Sequence, residues 1–89
     1  MTTSESRVVV DWSNADYFEV SRYLENRFNH QFGGSGFLVG ANGGDVSFWV
    51  KESSLKLFMS CLRKEMEELK NIYGNLSYTI QITENANVH

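Results

Sequence analysis

Few residues in this sequence could do covalent, acid–base or metal chemistry, and their spacing decides which could act together. Cys61 is the lone thiol, and the two histidines stand at His30 and at the last position, His89. A nucleophile needs a base within hydrogen-bond reach, and a zinc-type centre needs clustered His, Cys or carboxylate ligands. No such cluster is spelled out along the chain. Cys61 falls on the flank of a predicted helix, where a half-buried structural thiol is the expected outcome. Glu65, Glu67 and Glu68 sit among Arg63, Lys64 and Lys70, a pattern that predicts a solvated helical face of ion pairs. The run Gly33-Gly34-Ser35-Gly36 invites a phosphate-loop reading, but such a loop must feed into a helix N-terminus. Here the glycines are predicted to leave a helix and enter a strand. The expectation is a non-catalytic chain with no metal and no cofactor.

The composition narrows the setting. Eighty-nine residues, 42% hydrophobic and 21% charged, suffice for a single domain with one core, spanning roughly residues 7–83 with frayed tails. MTTSESR lacks the apolar stretch of a secretory signal, and no apolar run approaches the ~20 residues that span a bilayer, so a cytoplasmic protein is expected. One cysteine closes no internal disulfide. A net charge of −3 argues against a general nucleic-acid binder, which needs a dense field of Lys and Arg.

Elements to position these residues follow from periodicity. The β-branched run in RVVVDW, residues 7–12, predicts a first strand. Ser13 is expected to cap a helix beginning near Asn14, in which Tyr17, Val20, Leu24 and Phe28 share one face, with Gly33 and Gly34 ending it. A second strand is predicted from Gly36 to Ala41, a hairpin turn at Asn42-Gly43-Gly44, and a third strand from Asp45 to Lys51. Ser53 or Ser54 caps a second helix, in which Leu55, Phe58, Met59, Leu62, Met66, Leu69 and Tyr73 hold helical spacing up to Gly74. LSYTIQIT then alternates as a fourth strand.

The order β-α-β-β-α-β resembles the ferredoxin-like superfold, an α+β architecture with two helices on one face of a four-stranded antiparallel sheet. The resemblance implies the spatial strand order four-one-three-two. Val8, Val10, Trp12, Phe37, Val39, Ala41, Val46, Phe48, Val50, Leu76, Tyr78, Ile80 and Ile82 then face the helices, each large side chain contributing about 1.5–3 kcal/mol on burial. Arg7, Val9, Asp11, Ser47, Trp49, Lys51, Ser77, Thr79, Gln81 and Thr83 fall on the opposite face.

Two features point to a partner. Trp49 stands on that polar face near Val9 and Lys51, where it either anchors a macromolecule or packs on neighbouring side chains or a dimer mate. The second strand is an edge carrying Phe37-Leu38-Val39 without proline or charge, which favours strand pairing with another protein or a second copy. The segment GGDVSFWV is superficially similar to the third-strand motif of RNA-recognition domains, yet it lacks the basic start, and Asp11 lies on the face that would meet RNA. Acylphosphatases share the size, but the Ser13-Asn14-Ala15-Asp16 turn opposes their anion loop.

The resulting expectation is protein–protein binding, as an inhibitor, immunity, phage counter-defence or adaptor factor that occludes a partner's functional surface. Candidate partner-binding residues are Arg7, Val9, Asp11, Phe37, Leu38, Val39, Trp49 and Lys51. Two alternatives stay open. One is nucleic-acid binding through Trp49, Arg7 and Lys51, or through helix-two residues Lys56, Arg63, Lys64 and Lys70. The other is a ligand-sensing regulatory domain with a pocket at a dimer interface near Gly33 to Gly36.

Overall fold

The three valines hold the chain extended, and a computed structural model, which describes residues 5–37 and 42–84, runs the first strand, β1, over Glu5–Ser13. Asn14 then turns the chain with a positive φ of 68°, and its N–H donates to the carbonyl of Asn42 at 2.8 Å. Helix α1 spans Tyr17–Arg27, strand β2 Phe32–Phe37 and strand β3 Gly43–Lys51. A single 3-10 turn, Glu52–Ser54, leads into helix α2, Leu55–Ile72, and strand β4, Ser77–Glu84, closes the fold.

All strand pairs are antiparallel, in the order β2-β3-β1-β4. The protein is therefore an α+β fold with a four-stranded antiparallel sheet and two helices. Alternation along the two central strands sends Val8, Val10 and Trp12, with Val46, Phe48 and Val50, to one side, where they are buried. Val20 and Leu24 of α1 and Phe58, Leu62, Met66 and Leu69 of α2 complete the same core. At its centre Phe28, Phe48 and Phe58 meet edge to face, with centroids 5.0–5.6 Å apart.

Several boundaries differ from expectation, each for a local reason. Ser13 does not cap α1, because β1 continues through it in register with Gly43 and Ser77. The cap is Asp16, whose carboxylate accepts the Glu19 N–H at 2.9 Å. The helix ends at Arg27 with Phe28 as its C-cap, not at the glycines, since Phe28 turns into the aromatic core. Gly33, Gly34 and Gly36 instead lie within β2, where the register slips between Phe32 and Gly34 as a β-bulge. Gly43 and Gly44 belong to β3, and the expected strand residues Leu38, Val39 and Ala41 lie outside the described residues. Ile82 faces the helix side as predicted but remains 48% exposed.

Gly43 tolerates no side chain. A Cβ there would stand 2.3 Å from the Trp12 carbonyl oxygen, and the backbone has φ 156°. Gly43→Ala is expected to destabilise by about 2–3 kcal/mol, the upper part of what an overpacked position costs. A urea melt beside wild type checks this.

Candidate functional site

The sheet face turned away from the helices has a definite row structure, set by the strand register. Trp49 of β3 lies opposite Arg7 of β1, which lies opposite Thr83 of β4. The next row holds Gly34, Ser47, Val9 and Gln81, and the one beyond it Gly36, Asp45, Asp11 and Thr79. Lys51 closes the other end, opposite Glu5. The sequence-predicted residues Arg7, Val9, Asp11, Trp49 and Lys51 are thus gathered on one surface. Phe37 ends β2 opposite Gly44, while Leu38 and Val39 lie outside the described residues.

Phe48 and Trp49 answer to the same alternation with opposite results. Phe48 is fully buried, and Trp49 is 43% exposed. The indole is not loose, because its Cδ1 lies only 2.8 Å from where a Cβ on Gly33 would stand. It rests across the bulged glycine backbone of β2, and its main-chain N–H donates to the Gln31 carbonyl at 2.8 Å. One flank of the indole therefore packs on Gly33, and the rest is exposed to solvent.

The acidic end of the face was only half legible. Asp11 and Asp45 are directly opposed on adjacent central strands, a like-charge juxtaposition that costs stability. Thr79 donates to Asp11 Oδ1 at 2.7 Å, and the Asp45 carboxylate sits over Gly36, 3.5 Å from where its Cβ would be. The two carboxylates lean apart toward opposite edges. Beside them a shallow depression of about 350 Å³ is lined by Asp11, Ser13, Gly44, Asp45, Ser77 and Thr79 among others. Asp45, Thr79 and Gly36 were missed as site residues, although the period-two alternation from Trp49 back to Asp45 was available to find the first.

Other candidate chemistry is dispersed. Cys61 is exposed, not half-buried, because its position on α2 points away from the sheet. His30 is an exposed turn residue and His89 lies outside the described residues. Among the described residues, no three His, Cys, Asp or Glu side chains gather as a metal site, and no helix is long and apolar enough to cross a membrane.

The glutamates of α2 are not a simple solvated face. Glu65 accepts a hydrogen bond from the Tyr23 hydroxyl at 2.6 Å and lies 3.8 Å from the Arg27 guanidinium. Glu67 accepts from Tyr78 at 2.7 Å, and Glu19 of α1 accepts from Tyr73. These bonds favour the protonated phenol. The hydrogen bond to Glu19 is the main cause pushing Tyr73 up to about 12, and Tyr23 is raised chiefly by its bond to Glu65, Tyr78 chiefly by burial. A folded-state value above the ordinary 10 means stability fully present below pH about 10 and lost as pH rises toward 12. Melting temperature is expected to fall over that window, and Tyr73→Phe to flatten the fall. A thermal melt series from pH 9 to 12 measures it.

Compared with protein-family models, curated proteins and solved structures, the chain matches none of them.

Proposed function

We propose that this chain is a non-catalytic binding module for another protein, recognising its partner through the open sheet face. The observation that carries the reading is Trp49: a large amphipathic side chain, 43% exposed, fixed on a central strand of a face whose other residues, Val9 and the glycines apart, are polar. A rigid aromatic of this kind supplies contact area at little entropic cost, which is why Trp is enriched among binding hot spots. The Asp11 and Asp45 carboxylates give the other end of the face its preference, a basic side chain of the partner. A cation seated between them would relieve the like-charge opposition that the free sheet carries.

The strand order and the two helical connections support a ferredoxin-like arrangement as the scaffold. Occlusion of the partner's functional surface, in the manner of a cytoplasmic inhibitor, immunity, phage counter-defence or adaptor factor, is the mechanism such a face serves. A nucleic-acid reading draws on the corner where Arg7 opposes Trp49 with Lys51 adjacent. It predicts binding that weakens steeply with salt, and the acidic row two positions away opposes it.

Asp45→Asn separates a functional carboxylate from a structural one. The variant is expected to gain a few tenths to about 1 kcal/mol of stability, by removing one of two opposed charges, while losing affinity for the partner. Chemical melts and partner titration together read both effects. A variant that is neither stabilised nor weakened in binding would contradict the assignment.

A further inference from the structure

The two sheet edges are not equivalent. β2 is six residues long, contains Gly33, Gly34 and Gly36, and is interrupted by the bulge, features that blunt an edge against pairing. β4 runs eight residues, and from Ser77 to Glu84 it keeps unbroken register with β1. It carries no proline, and no charge from Ser77 to Thr83. Its helix-facing side carries Ile82, 48% exposed, at an open groove of about 610 Å³ lined by Leu55 and Met59 and by Glu52, Lys56 and Arg63. An unguarded alternating edge beside an apolar groove is a template for a further strand.

We propose that the strand completing this edge is β4 of a second copy, paired antiparallel about a two-fold axis through Gln81. Side-chain parity restricts the register. For both faces to continue across the junction, a residue must sit on the axis, because a half-step shift would set Thr79 opposite Ile82. With Gln81 on the axis, Ile80 faces Ile82 of the second copy, and the reciprocal pair forms by symmetry. On the open face Gln81 meets Gln81, and Thr79 meets Thr83. The exposed Ile82 of each copy is covered by the half-buried Ile80 of the other, and no charge opposes its like along the junction.

Charge neither selects nor opposes this register: the groove at Ile82 is lined by Glu52 as well as by Lys56 and Arg63, and what the pairing gains is the cover of Ile82 on both copies and of the free edge of β4. The pairing leaves the open face on both copies available and does not rest on its proposed use.

Sedimentation equilibrium of the full chain from micromolar to millimolar concentration tests the pairing. The expected result is a mass rising from 10.2 kDa to twice that value, with Ile82→Lys remaining monomeric while keeping wild-type circular dichroism. A wild-type monomer throughout, or a dimer that a folded Ile82→Lys leaves intact, overturns the proposal. Where Ile82→Lys fails to fold, cross-linking in a Cys61→Ser background decides. Directly opposed residues in an antiparallel pair have Cα atoms about 4.5–5.5 Å apart, within disulfide range. Gln81→Cys should oxidise to a covalent dimer, and Leu57→Cys, exposed on α2, should not. Equal cross-linking at both positions, or none at 81, overturns it. Partner capture through Trp49 is unaffected by either result, so the two readings fail separately.

Discussion

Replacing Phe48 by alanine is expected to destabilise the protein by about 3–5 kcal/mol, the usual cost of truncating a buried aromatic. Phe48 is fully buried and contacts both Phe28 and Phe58 edge to face, so truncation leaves a cavity at the centre of the aromatic triangle. Domains of this size have only about 5–15 kcal/mol of total stability, so the variant should sit near its unfolding transition at room temperature. Urea denaturation measures the shift. Phe48→Leu, which keeps most of the volume, should cost well under half as much.

One residue further on, the expectation reverses. Trp49→Ala should reduce affinity for the partner at least about 30-fold, the effect of losing a hot-spot tryptophan worth about 2 kcal/mol. Its effect on stability should stay below about 1 kcal/mol, because the indole is 43% exposed and rests on a glycine at the sheet edge. Parallel melts and binding titrations distinguish the two quantities. A large stability loss with unchanged binding would make Trp49 a packing residue of β2 and nothing more. Gly33→Ala offers an internal comparison, since its methyl would collide with the indole and should shift Trp49 fluorescence without touching the acidic end of the face.

The contrast between these neighbours was readable from the sequence because strand alternation is a local rule: once β3 is recognised, Phe48 and Trp49 must point oppositely. Helix α2 was readable for a similar reason, its apolar positions repeating over five turns. The segment from Arg27 to Phe37 was not. Three glycines there fit a helix stop, a turn or a bulged strand equally well, and only the pairing of β2 against β3 selects the last. Long-range polar contacts were equally hidden. Tyr23 meets Glu65 across 42 residues and Tyr73 meets Glu19 across 54, separations on which periodicity carries no information. Without those contacts the α2 glutamates read as a solvated face, whereas two of them hold tyrosines of α1 and β4.

The acidic row illustrates how stability and use diverge. A sequence under selection for stability alone would not place Asp45 opposite Asp11 when either could be neutral, as Thr79 is on the neighbouring strand. Trp49 lies two rows away on the same face, so the proposed recognition surface would combine an apolar anchor with a charge preference.

The most direct measurement is a tagged capture from native lysate at physiological salt, with nuclease, comparing wild type, Trp49→Ala and Asp45→Asn by quantitative mass spectrometry. A protein retained by wild type, insensitive to nuclease and lost from both variants, is the predicted result. Equal capture by all three, or capture that disappears with nuclease treatment, would contradict recognition of a protein through the open sheet face.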